Sequence, residues 1–221
     1  MAAIRATVRA THAGLEWIRP PQQARTRQTL TRMLDAAEKM VASKGFADTA
    51  ITEIAKAAGG SVGGFYRRFE DKQGLLQALH ARFCEEARAT ADAALDPHRW
   101  RDASTAEVVR EFVAFLVRIF REREGSFRAY QLAGFTNDIV RRRTVELYAH
   151  LQQKMVALFA DRRDDIAHPD PELGAAFGLD LVLGKLSQAV QLEPESFGLG
   201  DPRLDDELPR AFLAHLGVRP D

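Results

Sequence analysis

Over residues 26–44, apolar side chains fall at Leu30, Met33, Leu34, Ala37 and Val41, the spacing of one helix face, and Gly45 supplies a stop. Ile51, Ile54, Ala55 and Ala58 repeat that spacing over a shorter run, which Gly59 and Gly60 can end. Ser61 then offers a hydroxyl as N-cap, and Phe65 and Phe69, four apart, give the next helix its own buried side. Longer helices follow. One covers 72–94 with Leu75, Leu76, Leu79 and Phe83, ended by Pro97, and a second stripe runs from Val108 to Phe120 before a break at Gly125. Further runs are expected at 137–159, 171–191 and 204–216. No alternating pattern competes, and no internal repeat is present. Residues 1–24, with Gly14, Trp17 and Pro20-Pro21, read as an irregular arm. The pattern predicts an all-α chain, with this arm, a three-helix headpiece at 25–72 and a larger helical body at 73–221.

Residues 51–72 carry the most specific signal. Two short helices joined by a glycine turn, the second closed by aromatic and basic residues, form a helix-turn-helix. With Phe65 and Phe69 turned inward, the second helix presents Val62, Gly63, Tyr66 and Arg67, with Lys72 just beyond. Tyr66 and Lys72 suit phosphate oxygens, whereas Thr52, Val62 and Arg67 suit base edges. Arg25 and Arg27, ahead of the first helix, are candidates for a minor groove or phosphates.

The order of Gly45-Phe46, Thr49, Ile54-Ala55, Ala58-Gly59, Ser61, Gly63, Tyr66, Phe69, Lys72 and Leu75 resembles the helix-turn-helix of the TetR family of transcriptional regulators. The resemblance covers roughly residues 25–85. It implies DNA contacts at Thr52, Val62, Gly63, Gly64, Tyr66 and Lys72, to which Thr49 and Ser61 are added as candidates. It also implies a homodimer joined through the last two helices, where Gly174, Gly178 and Gly184 suit close packing, and an effector pocket in the body. Phe112, Phe120, Phe127, Tyr130 and Tyr148 are candidates for its lining, with a mostly apolar small molecule as ligand. Three positions depart from the pattern: Ala50 stands where Thr or Ser is usual, Gly60 where Val is usual, and Gly64 where Thr, Ser or Ala is commoner.

Composition sharpens this reading. With 46% hydrophobic and 28% charged residues among 221, the chain is ordinary for a globular protein. The formal net charge of zero hides a division: 12 Lys or Arg stand against 7 Asp or Glu in residues 1–72, leaving 19 against 24 in the rest. A basic front on an acidic carrier fits local binding to double-stranded operator DNA. The single cysteine, Cys84, excludes an intrachain disulfide. Neither a secretion signal nor a stretch long and uncharged enough for a bilayer is read, so a cytoplasmic protein is expected.

Other chemistry finds little footing, and neither catalytic residues, nor a metal, nor a cofactor is expected. Gly59-Gly60-Ser61-Val62-Gly63 matches the G-x-S-x-G elbow of serine hydrolases, but an elbow needs a preceding strand and this one follows a helix. His80 and Cys84 lie one helical turn apart, too few for a metal site on their own. Arg141-Arg142-Arg143 reads as a solvated face. The alternative to a DNA-binding regulator is a helical protein that holds an apolar ligand without touching DNA.

Overall fold

The computed structural model describes residues 24–218, with side chains from Arg27 onward. The amino-terminal arm through residue 23, Trp17 included, and the Arg25 side chain lie outside the described residues. The rest is helical: α1 (Ala24–Lys44), α2 (Ile51–Ala57), α3 (Val62–Tyr66), α4 (Lys72–Ala94), α5 (Thr105–Glu122), α6 (Glu124–Thr136), α7 (Asp138–Phe159), α8 (Pro171–Leu192) and α9 (Leu204–Leu216). Short 3-10 segments at Pro97–Trp100 and Ala160–Asp165 follow α4 and α7, and no strand occurs among the described residues.

The chain divides into two compact units. One holds the residues up to Glu86 with Gly125–Thr144, the other Ala87–Glu124 with everything from Val145. In the first, Leu30, Met33 and Leu34 of α1 and Ile54 of α2 pack with Phe65 and Phe69 in one dry core. Arg82 of α4 clasps α1 through Asp35 at 2.6 Å and Glu38, and the carboxylates around it raise the guanidinium pKa although burial lowers it. In the second unit α9 lies against both α5 and α8. There Arg121 of α5 holds the approach to α9, donating to the carbonyls of Leu199 at 2.6 Å and Asp201 at 3.2 Å and pairing with Asp205 at 2.9 Å.

Three sequence expectations need correction. The break read at Gly125 falls at Arg123, and Gly125 itself lies in the first turn of α6, a helix the apolar pattern did not reveal. A Cβ there would come within 2.5 Å of the Val41 carbonyl oxygen, so glycine is required by the close approach of two backbones. The glycines of α8 also differ from one another. A Cβ at Gly178 would strike the Phe212 ring at 2.1 Å and one at Gly174 would meet the His168 ring at 3.0 Å, whereas Gly184 faces open space. Packing within the chain therefore accounts for two of the three. Lastly, Pro171–Leu192 is long and apolar enough to pass as a membrane span by length and composition, although half of the qualifying stretch is buried inside the protein.

Candidate nucleic-acid interface

Local chemistry sets the turn between α2 and α3. Gly59 takes a φ of +66°, and the Gly60 N–H donates to the Ala55 carbonyl at 2.8 Å, so α2 ends where the glycines were read to end it. Gly60 leaves room for Met33, whose Cε would lie 3.2 Å from an added Cβ. Ser61 then caps α3 by accepting from the Gly64 N–H at 3.1 Å, which leaves its hydroxyl engaged in the backbone rather than poised as a nucleophile. Phe65 and Phe69 are fully buried with ring centroids 5.0 Å apart.

That anchoring fixes what α3 shows to the outside. Val62 is 38% and Tyr66 49% exposed, and Gly63 and Arg67 are exposed as well. Thr52 on α2 and Arg27 on α1 are exposed too, so these side chains are open to a partner. Gly63 has no atom within 4 Å of a notional Cβ. Gly64, by contrast, is buried, and a Cβ there would lie 3.4 Å from the capping Ser61 oxygen.

Besides Ser61, whose hydroxyl caps α3, two further nominated residues prove to have work inside the fold. Thr49 is 1% exposed, and its hydroxyl donates to the Gly45 carbonyl at 2.7 Å. Its role is to close the turn after α1, where Gly45 sits at a φ of +81°, and it offers no free group to DNA. Lys72 is half-buried: its ammonium donates to the Ala47 carbonyl at 2.9 Å and lies 4.6 Å from the centre of the Phe46 ring. Without DNA, Lys72 ties the start of α4 to the first turn. The sequence reading missed Arg68, whose Nη1 donates to the Gly64 carbonyl at 2.8 Å and so steadies α3 from its far end. Burial, then the neighbouring Arg67 charge, lowers the Arg68 pKa.

Ala50 leaves a visible mark. With no hydroxyl there, α2 keeps only half of a capping box, the Glu53 carboxylate accepting from the Ala50 N–H at 3.2 Å. Glu53 also pairs with Lys44 at 2.6 Å, and the bond to Lys44 holds its carboxyl below the usual range.

Residues 33–79 match the sequence profile of the bacterial regulatory proteins, tetR family. This stretch contains the whole helix-turn-helix, its glycine turn and the start of α4. The helix-turn-helix of this chain is similar to that of the tetR family. Over 53 residues it is 43% identical to the uncharacterized HTH-type transcriptional regulator YvkB of Bacillus subtilis, a match covering 24% of this chain and 28% of that protein. Among solved structures, a TetR-family regulator from Mesorhizobium loti superposes with a TM-score of 0.68 at 18% identity, covering 88% of this chain and 98% of its own. RolR in complex with resorcinol gives 0.56 at 23%, covering 88% and 90%. At such identities these structures speak for the fold, an amino-terminal helix-turn-helix with a helical carboxy-terminal part. TetR-family regulators are transcription factors, not enzymes.

The nominated effector residues are divided between the units. Phe127 and Tyr130 belong to the first, where both rings pack on Phe83, with centroids 5.1 and 5.7 Å away. Phe112, Phe120 and Tyr148 belong to the second, where Phe112 and Phe120 are buried. Two grooves in the second unit involve none of the five: one of about 500 Å³ beside α5 and α9, lined by Arg110, Ala114 and Pro209 among others, and one of about 320 Å³ beside α8 and α9. His80 and Cys84 do meet, with Nε2 3.6 Å from Sγ, and His80 Nε2 lies 3.1 Å from the Thr144 hydroxyl. Among the described residues no group of three or more potential metal ligands forms.

Proposed function

We propose that this protein is a cytoplasmic repressor that binds a palindromic operator as a homodimer and leaves it when a small apolar molecule binds. The observation that carries the reading is the outer face of α3 and its C-cap: Val62, Gly63, Tyr66 and Arg67 stand clear, while Phe65 of the helix and Phe69 just beyond it are buried. Thr52 and Arg27 add exposed polar and basic groups. A helix this short reads few base pairs, so useful specificity calls for two copies on related half-sites.

For the second copy, α8 offers a suitable surface. Leu173, Phe177 and Leu181 are 59%, 48% and 42% exposed at four-residue spacing, and Gly184 continues the row with nothing above it. Apolar rows of this kind are covered in stable proteins. The resorcinol complex of RolR supports an aromatic effector, with either Phe112, Phe120 and Tyr148 of the second unit or Phe127 and Tyr130 of the first as candidate contacts. The functional division is a headpiece at 25–72 and an effector and dimer body at 73–221, linked through α4, one uninterrupted helix. A ligand that favours one tilt of α4 needs a coupling of only about 1–3 kcal/mol to change operator affinity roughly 5- to 150-fold.

Selection of bound duplexes from random DNA tests the reading. A palindromic consensus with two half-sites is expected, together with a dimeric mass by light scattering; a monomer without sequence preference contradicts it. Reciprocity tests the switch, since an effector that weakens operator binding must itself be weakened by operator to the same factor.

A further inference from the structure

Helix α3 has five residues, and two of them, Gly63 and Gly64, carry no side chain. A residue from its carboxy-terminal end reaches back over the bare backbone. Arg67, the C-cap of α3, places Nη2 3.6 Å from the point that a Gly64 Cβ would occupy, and the capping Ser61 Oγ lies 3.4 Å from the same point. The guanidinium therefore stands beside the first turn of the helix instead of extending away from its last. Arg68 holds the same glycine by a different atom, its Nη1 donating to the Gly64 carbonyl at 2.8 Å.

The two guanidiniums converge on Gly64, close enough for the Arg67 charge to act with burial in lowering the Arg68 pKa. Neither has a carboxylate within ion-pair distance among the described residues, and Arg67 makes no hydrogen bond there. Arg67 is exposed, so its donors are open to an outside acceptor. Like charges held side by side repel, and an electron-rich partner relieves the repulsion. The position of the guanidinium selects that partner. A recognition helix meets base edges with its amino-terminal turn, which is where Arg67 has been folded back to lie. In the major groove, guanine offers O6 and N7 as paired acceptors that match the fork of a guanidinium.

We propose that Arg67, seated over Gly64, reads a guanine in each operator half-site through O6 and N7, and that the missing side chain at 64 is what gives it this position. The inference rests on the DNA-binding role proposed for α3 and adds the base that it recognises. Gly64 acts here as a positioning residue. A Cβ at 64 would stand 3.4 Å from Ser61 Oγ, 3.6 Å from Arg67 Nη2 and 3.8 Å from Met33 Cε, all ordinary packing distances, so alanine fits. The γ atoms of threonine would extend beyond that point, among neighbours already in contact with it, and displace the mobile one, the Arg67 guanidinium.

The test selects duplexes from random DNA with the full chain as wild type, Arg67→Ala, Gly64→Ala and Gly64→Thr, then measures affinities for the wild-type consensus over a series of salt concentrations. The wild type should select a guanine in each half-site, and changing one such guanine to adenine should weaken binding roughly 5- to 150-fold. Arg67→Ala should lose the preference at that position and keep the rest of the consensus. Gly64→Ala should retain the guanine and Gly64→Thr should lose it. Melting confirms the fold of each variant, and Arg67→Ala, at an exposed position, decides the matter even where Gly64→Thr does not fold. An unchanged consensus in Arg67→Ala, or a folded Gly64→Thr that still selects the guanine, would overturn the proposal. So would an equal loss on all sequences with a shallower salt dependence in Arg67→Ala, which assigns Arg67 to a phosphate. Those results leave sequence-specific binding by the wild type intact, whereas a wild type without sequence preference removes the DNA-binding reading as well.

Discussion

The turn between α2 and α3 and the joint between α8 and α9 both depend on glycine, but for different reasons. At the turn, Gly59 adopts a left-handed backbone and Ser61 caps the next helix, so everything that shapes the element lies within a few residues of it. At the joint, Gly178 is needed because the Phe212 ring, 34 positions later, occupies the space where a side chain would go. Local chemistry shapes the surface that α3 presents, and distant packing shapes the α8–α9 pair. The first kind of constraint can be read along a sequence and the second cannot.

Acid should separate the two units most strongly. Burial, reinforced by the Arg143 charge, pushes His80 of the first unit down from 6.5 to about 4. As pH falls, the unfolded chain takes up this proton before the folded one does. His80 therefore contributes stability that is complete above pH 6.5 and lost between 6.5 and about 4, on the order of 3 kcal/mol in all. Urea melts across that window should fall steeply for the wild type and less so for His80→Gln, with hydrogen exchange rising first in α4 and α6. An identical pH profile in the variant would remove His80 from the account.

A smaller effect bears on the joint. Gly178→Ala drives a methyl into Phe212 and should destabilise the protein by about 2 kcal/mol, as overpacked cores do. Gly184→Ala meets no atom in the chain and should leave the fold unharmed or gain up to about 1 kcal/mol from helix propensity. Thermal melts of the pair decide whether internal packing distinguishes them, and equal effects would erase the distinction. Smaller still, Ala50→Ser restores the missing half of the capping box and should add about 0.5–1 kcal/mol; no gain would mean that Glu53 and Lys44 already suffice.

Much of the first unit was legible because its signals are short-range. The stops at Gly45 and Gly59, the cap at Ser61 and the buried Phe65–Phe69 pair all follow from neighbouring residues. Thr49 and Lys72 were harder, because their side chains bind backbone carbonyls of the turn after α1, at Gly45 and Ala47, and nothing in their spacing announces that. Helix α6 was hidden for the same reason as Gly178. Its glycine at 125 reads as a break in sequence, yet it answers the Val41 carbonyl 84 positions earlier. The aromatic candidates for an effector site were chosen by composition, which says nothing about which unit each would join.

The central claim is that the exposed face of α3 meets DNA. Gly63 allows this to be asked without disturbing the fold, because no atom lies within 4 Å of where its Cβ would be. Operator affinity and melting temperature should be measured together for the wild type and Gly63→Leu, with the duplex obtained by selection. An unchanged or raised melting temperature with operator binding lost is the predicted result, since the added side chain would block the approach of DNA to α3. Undiminished operator affinity in a folded Gly63→Leu protein would contradict the account.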